Sequence, residues 1–151
     1  MGSISGTPEL AFEITTTDTS RLKAPEQLLL GIVGRFSVLV GPKTLYEEVE
    51  FCLVEFAMDV SQWLINVPTT DEDFVYESLE SDEIGLVWIK SGTSGWHVGS
   101  IQQHYQETKS FSLDEIRMAV NKYLHKLKRE LYDKFGLVLN LKARRINELF
   151  E

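Results

Sequence analysis

The stretch Ile84-Gly85-Leu86-Val87-Trp88-Ile89-Lys90-Ser91, followed by Gly92-Thr93-Ser94-Gly95 and then Trp96-His97-Val98-Gly99-Ser100 on towards Tyr105, decides the fold class. Two apolar, branched and aromatic runs on either side of a four-residue, glycine-bounded turn are the pattern of an antiparallel hairpin. Upstream, Asp73 to Leu79 alternates Val75 and Leu79 against Phe74 and Tyr76, which reads as a further strand. Downstream, Ser112 and Glu115 form a capping box, with Phe111 and Ile116 at the spacing of a hydrophobic staple, so a helix begins there. Its apolar stripe Leu113, Ile116, Val120, Tyr123, Leu124, Leu127, Leu131 and Phe135 runs to Gly136, a left-handed terminator.

Working back to the amino terminus, Leu10 to Thr16 alternates with the period of a half-buried strand. Leu28 to Val40, apolar on both faces and broken by Gly31 and Gly34, reads as a long, bent or bulged second strand ended by Gly41 and Pro42. Thr44 with Glu47 supplies a second capping-box pattern, so a buried helix is expected from there to about Ile65, stopped by Pro68. On a 3.6-residue wheel Glu48, Glu55, Asp59 and Gln62 gather in one sector of it. The expected architecture is therefore α+β: one antiparallel sheet of about five strands, in the order β-β-α-β-β-β-α, with a buried helix and a long amphipathic helix packed on it. A chain of 151 residues makes one domain over 1–151, with 1–8 expected to be disordered. Residues 137–151 form a carboxy-terminal extension in which 141–150, carrying Ile146, Leu149 and Phe150, either makes a short helix or frays.

Composition narrows the class further. At 43% hydrophobic and 25% charged the chain matches an ordinary globular protein, and no apolar run reaches the ~18 residues that a spanning helix needs. Met1 to Gly6 has no signal-peptide character, and the single Cys52 has no internal disulfide partner, so the reducing cytoplasm is the expected compartment.

The charge is unevenly placed. Net charge is -8, from 15 basic and 23 acidic residues. Between Thr44 and Glu83 lie Glu47, Glu48, Glu50, Glu55, Asp59, Asp71, Glu72, Asp73, Glu77, Glu80, Asp82 and Glu83, with no lysine or arginine among them. From Arg117 to Arg145 the balance reverses, and Lys122, Lys126 and Arg129 share one helix face. The two regions either neutralise each other across the fold, serve as solvated faces, or dock partners. If the acids dock a basic protein partner, their field accelerates its encounter in a salt-dependent way. The residues assigned to that surface are Glu55, Asp59, Asp71, Glu72, Asp73, Glu77, Glu80, Asp82 and Glu83. Nucleic acid is not the expected ligand, because the basic helix has no interleaved aromatic platform and the whole chain is acidic.

Nothing in the pattern spells catalysis or a cofactor. His97 and His104 are seven positions apart on one expected strand and so point to opposite faces, which excludes a shared metal. His125 reads as a surface residue among lysines and Cys52 as a filler in the buried helix, not a nucleophile. Gly92, Gly95 and Gly99 lack the lysine and following helix of a phosphate loop. Trp63, Trp88 and Trp96 read mainly as core.

The segment Glu50 to Leu64, the strand Gly95-Trp96-His97-Val98-Gly99-Ser100 and the helix start Phe111-Ser112-Leu113-Asp114-Glu115 together resemble small bacterial immunity proteins of contact-dependent growth inhibition and other polymorphic toxin systems, over about residues 45–135. The resemblance implies a non-enzymatic cytosolic inhibitor, without cofactor, metal or membrane span, that binds a cognate toxin domain and occludes or distorts its active site. It transfers no binding residue, so the surface above rests on charge alone. The alternative from another class is a structural or regulatory module that forms homo-oligomers, acidic end to basic end.

Overall fold

The computed structural model describes residues 7–103, 107, 109–143 and 145–151. The chain is α+β, with its strands in two three-stranded antiparallel sheets. The first sheet has the order β1-β2-β3, with β1 at Glu9–Ile14, β2 at Val33–Val40 and β3 at Lys43–Cys52. The second has the order β4-β5-β6, with β4 at Phe74–Glu77, β5 at Ile84–Gly92 and β6 at Gly95–Gly99. Helices α1 (Pro25–Gly31), α2 (Leu53–Thr70) and α3 (Leu113–Phe135) complete the framework.

This corrects the expectation of one sheet with about five strands, and two local misreadings account for the difference. Leu28 to Val40 is not one bulged strand: Pro25 at the first helical position and Gln27, whose side chain accepts from the Ala24 amide at 3.0 Å, start a short helix that consumes Leu28 to Gly31. The Thr44–Glu47 pattern is not a capping box either, because both residues lie on β3. The Glu47 carboxylate accepts from Ser37 on the neighbouring strand instead, and Tyr46 sits opposite Val38. Helix α2 begins only at Leu53, and Cys52 is the last residue of β3. The helix also runs past Pro68 to Thr70: the proline occupies the last turn, and Asp71 closes the helix in a left-handed conformation with its N–H on the Val67 carbonyl.

The hairpin forms with Ser91 opposite Trp96, but Gly92 and Gly95 pair within its strands, so the loop is Thr93 and Ser94 rather than four residues, and β6 ends at Gly99. The Ser112–Glu115 box forms in both directions, and α3 ends at Gly136 with φ 68°. Residues 1–6 and His104 lie outside the described residues. The carboxy-terminal segment makes a single 3-10 turn at Ile146–Glu148 rather than a helix, and it is held down by a Leu139–Phe150 bridge and a fully buried Leu149.

Both sheets share one core, and Phe56 on α2 is its hub. Its ring meets Phe36 and Phe51 of the first sheet, Phe74 and Tyr76 of the second, and Tyr123 of α3, all with centroids between 5.2 and 5.9 Å and mostly edge-to-face. Tyr123 also donates to the Leu53 carbonyl at 2.7 Å, which fixes α3 against the start of α2.

Candidate interaction surface

The second sheet turns Phe74 and Tyr76 inward and Val75 and Glu77 outward, as alternation on a strand requires. Val75 pairs with Trp88, so Trp88 lies on the outer face, while Trp63 and Trp96 are buried against each other at 5.7 Å. Trp88 is accommodated by Gly99 directly across the ladder: a Cβ there would collide with the indole ring. Gly85 lies beneath Val75, Trp88 and Ile101, whose nearest atoms stand 3.7–3.9 Å from where its Cβ would be. These side chains form a continuous apolar patch. Ile84 and Ile101 beside it are 61% and 63% exposed, and Leu79 on the β4–β5 loop is 75% exposed. Nothing in folding rewards such exposure, and contiguous apolar surface of this kind is characteristic of contact faces.

The acidic residues lie along one side of that patch, on the edge strand β4 and its turns, while Lys90 Nζ on β5 lies 4.9 Å over the Trp88 ring. Glu77, Glu80, Asp82 and Glu83 are exposed on β4 and the loop to β5. Glu83 accepts from Gln102 at 2.6 Å. Burial, then the charges of Glu48 and Glu83, hold the Tyr46 hydroxyl above its ordinary pKa. Asp71, Glu72 and Asp73 are exposed at the other end of β4, about 13 Å away along a four-residue strand. Asp73 accepts from the Ser91 amide at 2.9 Å and so ties the start of β4 to the end of β5. Glu72 offers its backbone carbonyl to Trp63 Nε1. The acids therefore string along β4 and its two flanking turns rather than scattering.

Two residues of the expected set have other positions. Glu55 is buried, and its carboxylate accepts from Tyr76 Oη and Ser78 Oγ, both at 2.6 Å, and from the Leu79 amide at 2.9 Å. It is an internal clasp holding the β4–β5 loop to the first turn of α2, and it presents no charge to a partner. Asp59, one turn along α2, is half-buried; burial, then the charges of Glu55 and Glu77, push its carboxyl up to about 6.

Among the described residues the ion pairs are Lys43–Glu107, Arg117–Asp114 and Lys126–Glu130. None joins a lysine or arginine to an acid between 44 and 83. Lys126 turns to the body of the protein, where it donates to the Phe12 carbonyl and lies 4.6 Å over the Phe12 ring. No group of three or more His, Cys, Asp or Glu among the described residues could hold a metal ion, and His97 Nδ1 lies 3.0 Å from the Lys109 carbonyl. Cys52 is buried, and burial, then Glu55, push its thiol up to about 11, which disfavours the thiolate that a nucleophile needs. Among the described residues no helix is long and apolar enough to cross a membrane.

The apolar half of this surface escapes a reading based on charge. Leu79, which shares the alternation of the expected strand, lies beyond the end of β4 at Glu77 and is exposed, and Ile84, paired with Glu77, is exposed with it.

The scaffold is α+β, and the outer face of its second sheet carries exposed apolar side chains with acids along one edge. The chain belongs to the family described as a domain of unknown function, DUF7878, whose model matches residues 10–133. No curated protein and no solved structure matches it.

Proposed function

We propose that this chain is a non-enzymatic, cytoplasmic binding protein of the immunity type, which neutralises a cognate toxin domain with a basic, nuclease-like surface. The observation that carries the reading is the outer face of β4-β5-β6: Trp88 and its apolar neighbours, with Lys90 over the indole and Glu77, Glu80, Asp82 and Glu83 along the β4 side, none of these acids ion-paired among the described residues. The apolar centre supplies affinity once dehydrated, and the rim supplies encounter rate and selectivity for a cationic partner. An interface of ordinary size, about 800 Å² per partner, extends from the β4–β5 loop to the Asp71–Asp73 turn. Asp59, half-buried on α2, is left out of the interface, and Glu55 acts only by holding the loop in place.

The test is co-expression with basic toxin domains, chosen from whatever genes neighbour the one for this chain, followed by titration of the purified pair at rising salt. Protection from toxicity is expected, with slower association as salt rises. The double reversal Glu80→Lys with Glu83→Lys is expected to weaken binding at least tenfold, and Lys122→Glu on α3 to leave it unchanged. Equal binding by all three proteins refutes the surface, and absence of protection refutes the role.

A further inference from the structure

On the side of the molecule formed by α2, α3 and the carboxy-terminal segment, three adjoining hollows make one continuous groove. The first, about 580 Å³, is floored by Tyr132, Leu137 and Leu139 and edged by His125, Lys128 and Arg129. The second, about 310 Å³, shares His125 and Lys128 with the first. The third, about 410 Å³, shares Ile65, Leu141 and Lys142 with the second. One wall, Leu137 to Ala143, lies beyond the family-matched residues 10–133. That wall is built in place: Ser61 Oγ donates to the Leu141 carbonyl, the Asn140 amide to the Leu149 carbonyl at 2.7 Å, and the Glu151 amide to the Val138 carbonyl at 3.0 Å. A preformed groove spares a ligand the entropy of ordering it.

The lining has a distinct chemistry. In a chain with 23 acidic residues, no carboxylate lines any of the three hollows, whereas Lys128, Arg129 and Lys142 do. The same hollows are lined by apolar side chains left open to water, Ile65 at 65% and Tyr132 at 62% exposed. The groove follows α3 from Asn121 to Tyr132, about 16 Å at 1.5 Å per residue, a length spanned by about five extended residues. Cationic and apolar side chains that share the lining over that length match a ligand carrying both carboxylates and apolar side chains, which a single small anion does not provide. The acidic face of the second sheet is not part of this groove.

We propose that the α2–α3 groove is a second binding site, for an acidic peptide segment of a partner protein that also carries apolar side chains. Lys128, Arg129 and Lys142 pair with its carboxylates, and Ile65, Tyr132 and Leu139 receive its apolar residues. The site stands independently of the proposed function.

The experiment is fluorescence anisotropy on the full chain with a labelled synthetic peptide of alternating glutamate and leucine. Saturable binding is expected, weakening about tenfold as salt rises from roughly 50 to 300 mM. The double reversal Lys128→Glu with Arg129→Glu should abolish it, and Ile65→Ser should weaken it at least threefold, both with unchanged melting temperature. Glu80→Lys with Glu83→Lys and Lys122→Glu should leave it untouched, which separates this site from the acidic face. Four results overturn the proposal: equal binding of a glutamate–serine peptide, since the groove then adds nothing to charge; insensitivity to the Lys128 and Arg129 reversals; displacement of the peptide by single-stranded DNA at equal concentration; or salt-soluble self-association lost in either double reversal, since the occupant is then a second copy of this chain.

Discussion

Removing the Glu55 carboxylate should unlatch the β4–β5 loop, and the structure fixes how large the effect is. Glu55→Ala deletes an acceptor used by three donors at once: Tyr76 Oη and Ser78 Oγ at 2.6 Å and the Leu79 amide at 2.9 Å. Tyr76 is buried, so its hydroxyl loses the charged acceptor at 2.6 Å in a place where water does not readily replace it. Burial, then the bond to Glu55, also hold the Tyr76 hydroxyl well above its ordinary pKa, so it remains a donor and cannot relieve the vacancy by ionising. A hydrogen bond to a charged acceptor is worth about 1.5–3 kcal/mol, and a stranded buried hydroxyl about 1–3 kcal/mol. Ser78 and Leu79 are near enough to solvent to be rehydrated, so these contributions do not simply add. The expected net loss is about 3–5 kcal/mol, or roughly 10 °C in melting temperature for a chain of this size. Urea denaturation of Glu55→Ala, Tyr76→Phe and the double variant should give a coupling of about 1–2 kcal/mol. Hydrogen exchange should show the Leu79 amide protected in the parent and unprotected in Glu55→Ala. A loss below about 1 kcal/mol, or a Leu79 amide already exchanging freely in the parent, refutes the clasp. Glu55→Gln is the milder control, because its single amide oxygen serves either the two hydroxyls or the Leu79 amide, not both.

Asp59 has a folded-state pKa raised from 3.8 to about 6, so folding disfavours its ionised form. The protein should lose stability from this group as pH rises from 3.8 to about 6, with the loss constant above that. Asp59→Asn should therefore raise the melting temperature at pH 7.5 and leave it unchanged at pH 3.5; an equal effect at both pH values refutes the assignment. Ser112→Ala removes the acceptor for the Glu115 amide at 3.1 Å and should lower stability by about 1 kcal/mol in chemical denaturation, with no effect on binding at the sheet face. Gly99→Ala should displace the Trp88 indole from the outer face. Changed tryptophan fluorescence is expected with only a modest fall in stability, together with weaker binding of the partner proposed above, and unchanged fluorescence argues against the packing described.

Legibility in the sequence followed the range over which each signal operates. The hairpin at Ile84–Gly99 and the Ser112–Glu115 start of α3 were readable because turn chemistry and capping are settled within a few residues. The Thr44–Glu47 motif satisfies the same local rule and yet lies on a strand. Val38 and Phe36 on β2 stand opposite Tyr46 and Glu48, and the stacking of Phe36 on Phe51 at 4.1 Å depends on β3 remaining extended through Phe51. Tertiary pairing overrode a local preference worth about a kilocalorie. Leu28 to Gly31 erred the other way: a proline at the helix start and a glutamine two residues on were enough to stop a strand that the run of branched residues otherwise favoured.

The candidate surface divides along the same line. A forty-residue stretch without a lysine or arginine is visible in one dimension, but whether its carboxylates face water depends on partners far along the chain. Glu55 is withdrawn by Tyr76 and Ser78, more than twenty residues away, while Glu77 and Glu80, close to those partners in sequence, remain free to face solvent. The withdrawal has a consequence for the surface itself. By holding the Leu79 amide, the buried carboxylate fixes the loop that displays Glu80 and the exposed Leu79 side chain, so one acid of the run positions its neighbours instead of joining them. Loss of Glu55 should therefore weaken partner binding through a loosened loop, appearing mainly in the association rate, whereas truncating Leu79 should accelerate dissociation and leave stability nearly unchanged.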